Sequence, residues 1–147
     1  MGISLKNAEG YFDPTAYEAI HRVEEKATLK YPFRPVVYIC SPLSGDVPGN
    51  QEKARGYCRF AVDRGAVPLA PHLLFPQFMN DRDPDERSLA IFMDMVLLTK
   101  CAELWVFGEV ISKGMGMEIE KAKRKGKPIR YFDPIAVLKI SNNNRKT

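Results

Sequence analysis

The stretch from Leu104 to Ala122 constrains this chain more than any other. It holds four apolar residues in a row, Leu104, Trp105, Val106 and Phe107, then a glycine-bearing break, then a helical pattern that includes Glu118. A run without alternation is what a strand covered on both faces presents. Gly114 and Gly116 carry no Cβ, so a loop built on them can bend tightly and approach a ligand. The helix that follows is expected to open with Glu118 in or near its first turn, its free N–H groups facing the same space. A carboxylate is thereby placed at the carboxyl end of a strand, where open α/β sheets bind their ligands.

The rest of the chain repeats this alternation. Asp13 and Pro14 read as N-cap and first position of a helix carrying Ala16, Ile20, Val23 and Ala27, an addition that either covers the sheet or mediates dimerisation. Val36 to Ser41 is the best strand and the expected centre of the sheet. It runs into a polar loop, Ser41, Pro42, Leu43, Ser44, Gly45, Asp46, which is neither a phosphate-binding P-loop nor a dinucleotide fingerprint. Asn50 is expected to cap a helix whose apolar stripe is Ala54, Tyr57, Cys58, Ala61 and Val62, and Gly65 to end it. Val67 to Ala70 is a short strand that Pro68 assigns to an edge. Residues 71–79 are too apolar for an ordinary loop and too rich in proline for a helix, which suits a lid, a pocket wall or a subunit interface. A second helix is expected from Arg87 to about Lys100, with Leu89, Phe92, Met93, Val96 and Leu97 as its core stripe. A last strand, Lys127 to Phe132, and a short capped helix from Asp133 follow.

Within the second helix Asp94 is the one polar residue between Leu89 and Leu98. Such a carboxylate either faces a polar cavity, titrates upward, or turns out to solvent. Strands alternating with helices imply right-handed crossovers and a parallel sheet. The expected fold is therefore an α/β three-layer sandwich, flavodoxin-like or Rossmann-like, with four or five parallel strands and an extra N-terminal helix. It forms a single domain over 1–147, with a core at about 35–132 and a helical extension at about 13–30. The loops after Ser41, Ala70 and Phe107 share one rim.

Composition narrows the function classes. A chain of 147 residues with 45% hydrophobic content supports one core, burying roughly 70% of the surface its unfolded form exposes. The formal charge of +4 owes part of its excess to the lysines between 121 and 127, a solvated helix end without the interleaved aromatics a single-strand binder uses, so no nucleic-acid partner is expected. Cys40, Cys58 and Cys101 are widely spaced and odd in number, as buried thiols in a reducing, cytoplasmic compartment are. No apolar run reaches the ~18 residues of a membrane span and no signal-peptide core is seen, so no membrane partner is expected. Two histidines without a carboxylate cluster predict no metal site, and no cofactor is expected.

Three motifs in order, Tyr38 to Leu43, Asp94 on a helix, and Gly114 to Ile119, resemble the nucleoside 2-deoxyribosyltransferase superfamily, which includes the 2′-deoxynucleoside 5′-phosphate N-hydrolases. The span from about Pro35 to Phe132 resembles most a group of uncharacterised small bacterial and phage proteins beside that superfamily. There a helical Asp precedes the nucleophilic Glu by the interval separating Asp94 from Glu118. The resemblance implies cleavage of the bond between a sugar C1′ and a nucleobase, with Glu118 attacking or stabilising the cationic carbon, Asp94 assisting the departing base and Tyr38 orienting Glu118. It implies sugar-binding roles for Ser41, Pro42, Ser44, Gly45, Ser112, Gly114, Met115 and Gly116. Typical transferases carry an acidic residue where this chain has Ser112; the phosphate-recognising hydrolases carry Ser, which points toward a 5′-monophosphate, while a serine chosen for its turn propensity explains the position equally.

Two function classes compete. The first is an N-glycosidic enzyme acting on a nucleoside or nucleotide by base exchange or hydrolysis, expected as a homodimer or higher homo-oligomer. The second is a nucleotide-binding module of the same fold without efficient turnover. A flavin binder is disfavoured by the lack of hydroxyls after Cys40 and of an aromatic pair to bracket a ring.

Overall fold

The computed structural model describes residues 14–145, which fall into two compact units, one ending at Phe33 and the other beginning at Arg34. The first unit holds helix α1 (Pro14–Lys30). Its proposed cap, Asp13, lies outside the described residues. On the helix surface Tyr17 and His21 stack at 6.1 Å, and His21 meets Glu25 at 3.1 Å.

The second unit is an α/β layer structure. In chain order it contains β1 (Val36–Cys40), α2 (Val47–Asp63), β2 (Val67–Leu69), the short α3 (Pro71–Leu74), a 3-10 turn (Phe75–Gln77), α4 (Pro84–Thr99), β3 (Glu103–Phe107), α5 (Lys113–Arg124), β4 (Ile129–Phe132) and α6 (Pro134–Arg145). The four strands are all parallel, in the order β2-β1-β3-β4. β1 and β3 are thus the inner pair, in register from Val37 opposite Glu103 to Cys40 opposite Val106, and the Pro68 strand is an edge.

Strand alternation divides the core in two. Val37, Ile39, Trp105 and Phe107 pack on one face against Ala54, Tyr57, Phe60 and Ala61 of α2 and Val137 of α6. Tyr38, Cys40, Leu104 and Val106 pack on the other against Leu98 of α4 and Met115, Ile119 and Ala122 of α5. Both faces are covered, which is why β1 and β3 read as unbroken apolar runs. The first face is cemented by rings: Phe107 stacks on Tyr57 at 4.5 Å and on Phe132 at 5.1 Å, and Phe60 meets Phe132 edge-on at 5.2 Å. Each such pair adds about 0.5–1.5 kcal/mol beyond its buried area. α6 is tied to α2 by the buried Ser141 hydroxyl, which donates to the Gly56 carbonyl at 3.0 Å. Gly65 and Gly126 take positive φ (82° and 65°) just past α2 and α5, a conformation that ends a helix without a Cβ clash.

Several boundaries differ from expectation, each for a local reason. α2 is capped by Asp46, whose carboxylate accepts from Gly49 N at 3.2 Å, rather than by Asn50. α4 starts at Pro84, three residues before Arg87, because Asp83 caps it by accepting from Asp85 N at 2.9 Å and Pro84 suits a first position. Residues 71–77 are helical after all: Pro71 and Pro76 occupy opening positions of two successive short turns, where a missing N–H costs nothing. The apolar stripe expected to bury α4 is largely exposed. Leu89, Phe92 and Val96 are 50%, 64% and 41% accessible, and Leu98 is the residue of α4 that enters the core.

Candidate active site

The chain leaves β1 toward β2 through α2 and leaves β3 toward β4 through α5, so the strand order reverses between β1 and β3. Loops leaving the carboxyl ends of two such strands diverge and open a crevice. Ser41 to Asp46 and Gly108 to Ser112 are those loops.

Glu118 reaches this region from the second turn of α5, not the first. Ser112 is the helix N-cap, its hydroxyl accepting from Met115 N at 3.3 Å, and its carbonyl accepts from Gly116 N at 2.9 Å. Gly114 and Gly116 therefore lie inside the opening turn of α5 rather than in a loop, and neither has positive φ. A Cβ at Gly114 would meet nothing within 4 Å, and one at Gly116 would meet Ile111 at 4.0 Å. Packing does not require these glycines; they leave the first turn bare. The N–H groups of Lys113 and Gly114 precede the first intrahelical bond.

Met115, Ile119 and Ala122 bury one stripe of α5, and Glu118 lies on the same stripe. Its carboxyl faces Tyr38 and Cys40, two residues apart on β1, and Asp94 on α4. Oε2 of Glu118 and Oδ1 of Asp94 are both sealed from solvent, and among the described residues each lacks a hydrogen-bond partner. Burial pushes the Glu118 carboxyl up to about 8. Hydrogen bonds from Cys40 and Tyr38 pull it down, and the Asp94 charge pushes it further up. Burial alone raises Asp94 to about 7. Of the readings open for Asp94, upward titration is the one its burial favours: Oδ1 is sealed, although the residue as a whole is half-buried. Tyr38 and Cys40 are held far above their ordinary ranges, first by burial and then by the Glu118 charge, so both remain hydrogen donors.

The remaining candidates are distributed along the rim. Ser41 Oγ is 2.9 Å from Nε2 of His72, which joins the carboxyl ends of the neighbouring strands β1 and β2. Burial lowers His72 to about 4, leaving a neutral imidazole. Ser44 and Gly45 are exposed and Pro42 half-buried, in a loop pinned by Asn50, whose side-chain amide donates to the Leu43 and Ser44 carbonyls at 3.1 and 3.0 Å. Met115 is fully buried in the core beside Tyr38 and Cys40, whereas Gly114 is exposed. A groove of about 420 Å³ runs outside the α4–α5 seam, lined by Met95, Met117, Lys113, Lys121 and Arg124 among others; neither Asp94 nor Glu118 lines it. Among the described residues no cluster of three or more His, Cys, Asp or Glu could hold a metal ion, and no helix is long and apolar enough to cross a membrane. Cys40, His72 and Asn50 were not marked as site residues in the sequence. A histidine beside a proline just past a strand end was the available signal for His72.

The fold and the paired acids define an α/β protein with a carboxylate site at the switch point of its sheet. The chain belongs to the family described as Domain of unknown function (DUF7768), whose model matches residues 35–132. No curated protein matches it. Among solved structures it is similar to a 2-deoxyribosyltransferase from the psychrotolerant bacterium Bacillus psychrosaccharolyticus, with 18% identity and a TM-score of 0.54 over 67% of this chain and 72% of that one. At that identity the likeness establishes a shared fold.

The raised Glu118 carboxyl has a cost in stability that can be measured. Between about pH 4.5 and 8 the folded protein holds a proton that the unfolded chain has released, so this group's contribution to stability falls as pH rises through that window. Glu118→Gln removes the effect. The variant is expected to melt several degrees above wild type at pH 8.5, at about 2–4 °C per kcal/mol for a domain of this size, with the difference vanishing near pH 4. Equal melting temperatures at both pH values would show that the carboxyl is not desolvated.

Proposed function

We propose that the protein is an N-glycosidic enzyme in which Glu118 attacks C1′ of a deoxynucleoside, or of its 5′-monophosphate, while Asp94 protonates the departing base. The observation that carries this reading is the sealed, unpartnered oxygen of Glu118, set beside Tyr38 and Asp94 where the strand order reverses. A carboxylate in apolar surroundings interacts strongly with a carbon that becomes cationic in the transition state. In the first step the C1′–N bond breaks as an O–C1′ bond to Glu118 forms; the bonding pair stays on the base nitrogen, which takes the Asp94 proton. In the second, an acceptor base or water displaces Glu118 from C1′ and gives its proton to the Asp94 carboxylate.

The remaining residues are assigned to substrate binding. Ser41, Pro42, Ser44 and Gly45 form one wall. Ser112, Lys113 and the bare first turn with Gly114 and Gly116 cradle the 5′ end of the sugar, and Met115 supports that turn from within the core. Ser112, although its oxygen accepts from Met115 N, keeps its O–H to donate. A cation at the first position of a helix is unfavourable to the helix dipole, and an anionic ligand beside Lys113 would offset it. The solved neighbour supports the substrate class, being a 2-deoxyribosyltransferase described as a biocatalyst for nucleoside synthesis.

The assembly proposed is a homodimer through α4. Leu89, Phe92 and Val96 recur at helical spacing and expose large apolar side chains that a second copy would cover. Sedimentation at micromolar concentration is expected to give twice the chain mass, and Phe92→Glu a monomer. A wild-type monomer would contradict this assembly.

The activity is tested by incubating the protein with deoxynucleosides and their 5′-monophosphates and resolving free base by chromatography. Release confined to monophosphates indicates hydrolysis of nucleotides, and base exchange on nucleosides indicates transfer. Glu118→Ala is expected to lower the rate at least about 10³-fold. The wild-type pH profile is expected to be bell-shaped with its maximum between about pH 7 and 8, because the reactive form of the pair holds a single proton, on Asp94, and is lost when a second proton binds or that one leaves; Asp94→Asn slows release about 10²–10⁴-fold and removes the basic limb. Binding without base release from any substrate would overturn the enzymatic reading in favour of a binding module.

A further inference from the structure

Among the described residues, the side chains that bear on the Glu118 carboxyl include no lysine or arginine. They are Tyr38 and Cys40 from β1 and Asp94 from α4. The cation at the base of this layer, Lys127, bears on Cys101 instead. Ionisation of Glu118 is therefore favoured by neutral donors and opposed by burial and by Asp94.

Tyr38 and Cys40 lie two positions apart on one strand and so project from the same face of β1. Both are sealed, in the core layer they share with Met115 and Ile119 of α5. Cys40 Sγ donates to the Met115 carbonyl oxygen at 3.8 Å, one turn before Glu118, and the Glu118 carboxyl is the other acceptor that bears on this thiol. A thiol has one proton to give, so these two acceptors compete for it. Glu118 Oε2, meanwhile, has no partner.

We propose that Cys40 is a positioning residue for Glu118, its S–H donating to the Met115 carbonyl while Glu118 is protonated and to the Glu118 carboxylate once it is ionised. Burial keeps the thiol un-ionised, so it serves as a donor throughout. Its weakness as a donor suits the task. A strong donor fixed on the carboxylate would have to be withdrawn before the oxygen could attack, whereas S–H stabilises the anion and gives way easily to an electrophilic carbon. The value of this device to catalysis rests on Glu118 being the nucleophile. The proton exchange itself does not.

The test follows the Glu118 carboxyl by 13C NMR in protein labelled at glutamate carboxyls, with the resonance assigned by its loss in Glu118→Gln. Removing the donor in Cys40→Ala is expected to raise the Glu118 midpoint by about half to one pH unit, and Cys40→Ser, which restores a donor, to return it to the wild-type value or below. If Cys40→Ala does not fold, Cys40→Val carries the same expected rise. An unchanged midpoint on removing the donor, or an equal rise in Cys40→Ser, would overturn the proposal, since the site would then be responding to volume and not to hydrogen bonding. The titration needs no substrate, so failure of the protein to release base would sink the proposed reaction without deciding the role of Cys40.

Discussion

Two carboxyl groups share an apolar niche between β1, α4 and α5, and among the described residues no lysine or arginine bears on either. This desolvated pair is the feature on which the rest of the structure depends. Water or a salt bridge would lower its energy; burial keeps the first from Glu118 Oε2 and Asp94 Oδ1, and among the described residues no ion pair is formed by either acid. The fold supplies Tyr38 and Cys40, two donors that stay neutral because the same burial holds their protons in place. The outcome is two carboxyl groups whose ionisation burial defers, to about 7 for Asp94 and about 8 for Glu118. A fold selected for stability alone would place apolar side chains here, so the niche is a local sacrifice that the aromatic face of the sheet, around Phe60, Phe107 and Phe132, offsets.

Layering makes that niche possible. β1 and β3 are covered on both faces, one by α2 and α6 and the other by α4 and α5, so the two faces can differ in purpose. One is dry and aromatic. The other is apolar at its base, around Leu98, Leu104 and Ala122, and carries the acids toward the carboxyl edge of the sheet. The Ser41–His72 pair and the Asn50 amide steady the loops above that edge with neutral hydrogen bonds.

The inner strands were legible because an unbroken apolar run has one explanation in a chain of this length, and the edge strand because Pro68 cannot donate to a ladder. Glu118 and Asp94 stood out as an acid after paired glycines and an acid within an apolar helix. Other features depend on partners that sequence does not display. Asp46 and Asp83 cap their helices through bonds to residues three and two positions on, respectively, which competing candidates nearby could equally have made. Gly114 and Gly116 resembled a loop, yet they lie in α5, because the Ser112 cap together with burial of Met115 and Ile119 offsets the roughly 1 kcal/mol of helix propensity lost at each glycine. The exposed face of α4 has the same periodicity as a buried one, so its pattern could not say which surface it meets. Cys40 and His72 were hidden for a similar reason: a buried thiol and a neutral imidazole acquire meaning from the groups across from them.

Trapping a covalent intermediate would test the central claim most directly. A nucleoside whose sugar carries fluorine at C2′ destabilises a cationic C1′ and slows breakdown of a glycosyl-enzyme, so the intermediate accumulates for intact-mass and peptide analysis. The account predicts one added sugar on the peptide containing Glu118, and no adduct in Glu118→Gln. An adduct on any other residue, or base released from this nucleoside with the protein left unmodified, would contradict it.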